Sequence, residues 1–100
     1  MWKTVRYDIS GNPVLAVNEN GEFYSYEKGS IIQLKVSSTK TPYYRVPLRN
    51  VGIAGRYAHR IVARAFPEIC GKWFPGCEVH HKDYNSLNNK ATNLLKTLVL

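Results

Sequence analysis

The chain of 100 residues holds three histidines, and two of them are adjacent: His80 and His81, in "CEVHHKDYN". Imidazole titrates near pH 6.5, so it can take up a proton under neutral conditions. In its neutral form it also ligates transition metals. Neighbouring side chains on a strand point to opposite faces. Two adjacent histidines therefore chelate one ion poorly, and one ligand beside one base is the easier division. Asn85, Asn88, Asn89 and Asn93 follow close behind. Each amide offers two donors and an acceptor, and can tie a loop to its own backbone. Composition alone leaves an ordinary polar turn as the other reading.

The charge suggests what such a pair would act on. The formal net charge is +7. Between residues 35 and 72 lie Lys35, Lys40, Arg45, Arg49, Arg56, Arg60, Arg64 and Lys72 against one acid, Glu68, while the rest of the chain balances to zero. A basic field concentrated in this way favours a polyanion, and nucleic acid is the commonest. Cutting a phosphodiester requires a water nucleophile, a base to take its proton, and positive charge near the phosphoryl oxygens. A histidine beside a cation site supplies the base and part of the charge, and basic side chains grip the backbone.

Other classes are less well served. No apolar run approaches the ~18 residues of a membrane helix, and "MWKTVRYDIS" lacks the apolar core of a signal peptide. The expected location is therefore the cytoplasm of a bacterial or phage-infected cell, with no membrane partner. There Cys70 and Cys77 are expected as reduced thiols, buried rather than bridged. Cys70, Cys77, His80 and His81 are the right residue types for structural zinc, but they lack the paired knuckle spacing of zinc motifs. RNA is not excluded by charge, although the aromatic pairing of an RNA-recognition sheet is missing. Tyr24, Tyr26, Tyr43 and Tyr44 are expected to pack across strands.

The elements that must position the histidines come in two halves. The first is strand-rich: "VLAV" (14–17), "EFYSY" (22–26) after Asn20-Gly21, "IIQLKV" (31–36), and "YYRVPL" (43–48), whose Pro47 weakens its end. The second begins with a helix in "YAHRIVARAFPEI". Ala58, Ile61, Val62, Ala65 and Phe66 form its apolar stripe, Arg60 and Arg64 its outer face, and Pro67 its stop. Trp73 and Phe74 are expected to plug the core. A strand "EVH", a polar loop from Lys82 to Asn93, and a closing strand "LLKTLVL" complete the chain.

These segments resemble the HNH endonucleases of the phage and homing branch. "AHRIVARAF" (58–66), "EVHHKD" (78–83), "NN" (88–89) and "NL" (93–94) stand in that family's order and spacing. Trp2, "YDIS" (7–10), "NGEFYS" (20–25) and "YYRVPL" (43–48) resemble the small modular DNA-binding segment that often precedes such nucleases. The resemblance implies an α+β fold: a small antiparallel sheet, one short helix, and a ββα-metal hairpin. Residues 1–50 would form the DNA-binding segment and residues 51–100 the HNH-like segment, together as one compact unit. The implied function is DNA cleavage with a divalent cation, Mg²⁺ or Mn²⁺ ahead of Zn²⁺ or Ni²⁺.

By position, the resemblance makes His81 the general base and His80 a metal ligand. Asn93 would brace the hairpin loop, and Asp83 and Asn89 would shape it. His59 matches a recurrent family histidine, structural or phosphate-contacting. Arg45, Arg49, Arg56, Arg60, Arg64 and Lys82 would contact DNA. The family's last metal ligand lies on a helix after the second strand, whereas this sequence runs out near that strand. The expectation is therefore a truncated nuclease, a homodimer in which a second subunit supplies the missing element, or a DNA-binding relative without catalysis.

Overall fold

The structure, a computed structural model, describes residues 1–37, 42–47 and 57–98. Lys40, Arg49 and Arg56 lie outside the described residues. The first half is a four-stranded antiparallel meander of β1 (Trp2–Tyr7), β2 (Pro13–Asn18), β3 (Phe23–Ser25) and β4 (Ser30–Ile31). β1 lies outside every apolar segment expected to pair. None of its residues is fully buried, because it is an edge strand held by backbone pairing to β2. The register shifts between Thr4 and Arg6, bulging the strand at Val5. The 8–12 turn is closed by Asp8, whose Oδ1 accepts from the backbone of Ser10 and Asn12, both at 2.9 Å.

The segment 31–36 is not one strand. β4 ends at Ile31, and the chain resumes as β5 (Lys35–Val36), paired to β6 (Tyr44–Arg45) in a separate ribbon. Ile32 enters the core and Leu34 packs against it, while Ile31 and Val36 on either side are exposed.

α1 (Ala58–Ala65) follows the expected stripe: Ala58, Ile61 and Val62 are fully buried, while Arg60 and Arg64 are exposed. Pro67 ends α1 and also starts a second helical turn, α2 (Pro67–Cys70). A proline at the first helical position has no amide hydrogen to waste. Lys3 reaches across from β1, donating to the Ala65 carbonyl at 2.8 Å and pairing with Glu68 at 2.6 Å. A cation at a helix C-terminus answers carbonyls that have no partner in the helix.

One core joins both halves. Leu15, Val17, Phe23 and Ile32 of the sheet meet Ala58, Ile61, Val62 and Phe66 of α1, with Cys70, Ala91 and Leu94 behind them. Trp73 does not plug this core. It is 48% exposed, with the Arg64 guanidinium 4.4 Å above its ring. The last hairpin pairs β7 (Cys77–His81) with β8 (Leu94–Leu98), placing His81 opposite Leu94 and His80 opposite Leu95. A short 3₁₀ turn, Ala91–Asn93, precedes β8.

Candidate active site

His80 and His81 end β7, and the pleat sends their side chains to different sides. His81 turns inward and is 7% exposed, whereas His80 is half-buried. The inward ring meets His59 of α1 at a centroid distance of 5.1 Å. Tyr43 stacks on His59 at 4.9 Å and stands 6.2 Å from His81. Two histidines far apart in sequence thus share one aromatic cluster. Tyr43 was expected to pack across its strand. It lies on the histidines instead, because β6 runs past the start of α1 and bridges to it through Arg45 and Tyr57.

Asn89 sets the proton on His81. Its Oδ1 lies 3.0 Å from His81 Nε2. An amide oxygen can only accept, so Nε2 carries the hydrogen and Nδ1 is the basic nitrogen. Asn89 is itself buried and held from the far half of the chain. The tight turn after β2 lies against it: a Cβ built on Gly21 would sit 2.7 Å from the Asn89 carbonyl oxygen. Gly21 also has φ +81, which glycine adopts without strain. Beside it, the Ala91 amide donates to the Glu19 carbonyl at 2.7 Å. No local signal marks Gly21 as part of the site, since this packing joins residues far apart in sequence.

The loop between β7 and β8 is cross-tied by Asp83 and Asn93. Asn93 Nδ2 donates to Asp83 Oδ1 and to the Asn88 carbonyl, both at 2.9 Å, and its Oδ1 accepts from the Asp83 amide at 3.1 Å. Asn88 Nδ2 donates to Asp83 Oδ2 at 2.8 Å. These bonds hold the Asp83 carboxyl below the usual carboxylate range, the Asn88 side chain first, then the Asn85 amide and Asn93.

His59 is titrated out of the neutral range. Burial pushes its imidazole down to about 4, with smaller lowering from His81 and Arg60. Its Nδ1 is buried without a hydrogen-bond partner among the described residues. The ring lines a cavity of about 550 Å³ beside the cluster, walled by Tyr43, Tyr57 and Trp73 and bearing Arg45 and Arg60. Both guanidiniums lie over Tyr57, at 5.9 and 5.6 Å. Neither pairs with a carboxylate among the described residues. Arg64 stands over Trp73, and Lys82 is exposed just after His81.

No family model matches the sequence. Over 79 residues, 78% of the chain, it is 35% identical to the DNA endonuclease I-HmuI of Bacillus phage SP01. The fold superposes on the solved structure of I-HmuI, described as an HNH homing endonuclease that binds and cleaves DNA. There the TM-score is 0.71 at 31% identity, over 98% of this chain. In sequence and fold the chain is similar to this HNH homing endonuclease. It spans 42% of the curated relative and 52% of the solved chain, about half their length. The α+β architecture expected from the resemblance is the one observed, with α2 and the 3₁₀ turn added to the single expected helix.

The described residues do not by themselves complete a metal centre. No group of three or more His, Cys, Asp or Glu side chains among them could hold an ion. This also sets aside zinc on Cys70, Cys77, His80 and His81, and both cysteines are free thiols. Of the two carboxylates nearest His80 in sequence, Glu78 is exposed two residues earlier on β7, and Asp83 has both oxygens engaged by the loop. Among the described residues, no helix is long and apolar enough to cross a membrane.

Proposed function

We propose that this chain binds DNA and hydrolyses its phosphodiester backbone, with His81 as the general base. The observation that carries this reading is the hydrogen bond between His81 and Asn89. It fixes a buried imidazole in the tautomer whose Nδ1 accepts a proton, at the end of a hairpin and against His59, whose ring lines a cleft bearing Arg45, Arg60 and Glu78. In the reaction, Nδ1 takes a proton from water as the water oxygen attacks phosphorus. The bond from phosphorus to the leaving oxygen breaks, and that oxygen is protonated from solvent. Arg45 and Arg60, free of carboxylate partners among the described residues, oppose the charge of backbone phosphates entering the cleft. Asn93, Asp83 and Asn88 hold the loop that carries Asn89, so that the base keeps its orientation.

A divalent cation, in this reading, adds positive charge at the phosphate. His80 is the residue assigned to hold it, and Mg²⁺ and Mn²⁺ favour oxygen ligands over a lone imidazole. A second subunit, or DNA phosphate itself, would supply the rest of the coordination. Residues 1–50 extend the DNA-binding surface as a strand-rich module. The cytoplasm of a bacterial or phage-infected cell fits this role.

A second reading, a DNA-binding relative that does not cut, rests on the lack of a three-ligand His, Cys, Asp or Glu group among the described residues. Incubation with supercoiled plasmid separates the two. The nuclease reading predicts nicked circles with Mg²⁺ or Mn²⁺ and none in EDTA. Protein that shifts DNA in a gel yet leaves the plasmid supercoiled with every divalent ion supports the second reading.

A further inference from the structure

Tyr84 is the non-glycine residue with positive φ among the described residues, at +60°. In that region the Cβ of an L-residue crowds the backbone, and glycine or asparagine is the usual occupant. The turn itself does not call for a tyrosine. It is closed by backbone groups, with the Tyr84 amide donating to the His81 carbonyl at 2.9 Å and the Asn85 amide to Asp83 at 2.8 Å. Nor does the side chain contribute burial, being 86% exposed. Its ring stands edge-on to His80 at 5.3 Å. The turn thus holds a bulky aromatic in a strained position, projecting into solvent beside one of the paired histidines. Strain kept at such a point is a mark of function rather than of folding.

The chemistry around the ring indicates its partner. Lys82 is exposed just before it, and the Asp83 carboxylate is turned into the loop by three hydrogen bonds. The tip therefore presents an aromatic face and a cation, with its acid occupied. Proteins that bend DNA insert apolar side chains between base steps, and aromatic rings stack on exposed bases. We propose that Tyr84 touches DNA directly, as a wedge that bears on the sugar and base edge of a nucleotide on the His80 side of the hairpin tip. The inference rests on the nuclease reading above.

The test uses the wild type, Tyr84→Gly, Tyr84→Asn and Tyr84→Phe on a short mixed-sequence duplex across a salt series, with thermal melts of each protein. Glycine and asparagine both tolerate the left-handed turn, so both variants should melt at or above the wild-type temperature. Both should bind DNA roughly five- to a hundredfold more weakly. The loss should be equal at every salt concentration, since no charge is removed. Tyr84→Phe should bind like the wild type. Wild-type affinity in the glycine and asparagine variants would overturn the assignment while leaving the nuclease reading intact, and a lowered melting temperature in both would make Tyr84 structural. Wild-type protein that binds no DNA would remove the nuclease reading, and the wedge with it.

Discussion

Burial of His59 makes acid sensitivity the most quantitative consequence of this site. Its imidazole falls from 6.5 to about 4 in the folded chain, chiefly through burial. Below pH 6.5 the unfolded chain takes up a proton that the native chain refuses. The unfolded state then binds more protons, so native stability falls as pH drops from about 6.5 to about 4 and is unaffected above that window. At about pH 4.5 the unfolded imidazole is almost fully charged and the native one mostly neutral. The difference is worth about 2–3 kcal/mol relative to pH 7.5. A phenylalanine at position 59 keeps a planar ring against Tyr43 but cannot titrate. Urea unfolding of the wild type and His59→Phe at both pH values isolates the effect, because the carboxylates are common to both. The wild-type midpoint should fall by roughly 1–2 M more than the variant's. Equal losses in the two proteins would show that His59 is not held neutral by burial, and the packed cluster of His59, His81 and Tyr43 would be misplaced.

Three further outcomes follow from the same geometry. Gly21→Ala places a Cβ against the Asn89 carbonyl in a strained turn; it should cost about 2 kcal/mol in chemical denaturation and lower nicking in protein that remains folded. Asn93→Ala removes three hydrogen bonds from a buried position and should cost about 2–4 kcal/mol by the same assay, with hydrogen exchange at the Asp83 amide rising most. Replacing Arg45 and Arg60 together by glutamine should flatten the plot of log affinity against log salt by about 0.9 for each phosphate no longer neutralised; an unchanged slope would place the DNA elsewhere.

The parts of the fold legible in the sequence were those governed by local pattern. α1 was visible because Ala58, Ile61 and Val62 repeat at helical spacing, with arginines on the opposite face. The closing hairpin was visible because apolar segments flank a loop rich in asparagine. β1 was not, since a half-exposed edge strand carries no apolar period and is defined by its pairing with β2. The break between Ile31 and Lys35 was hidden for the opposite reason: a continuous apolar pattern does not show where a strand leaves its sheet. Trp73 was placed in the core on size alone, but its ring serves as a seat for Arg64. At the site, the type and order of His80, His81 and the asparagines were readable. The stacking of Tyr43 on His59 and the support of Asn89 by Gly21 were not. Both are long-range arrangements that exist only once the sheet has docked on the hairpin.

Single-turnover nicking of plasmid by the wild type and His81→Ala, with DNA affinity measured on the same preparations, bears most directly on the role of the buried imidazole. The expected result is equal binding and a nicking rate lowered by at least roughly a hundredfold in the alanine variant. An alanine variant that nicks at the wild-type rate would contradict it, because water would then be losing its proton to some other group.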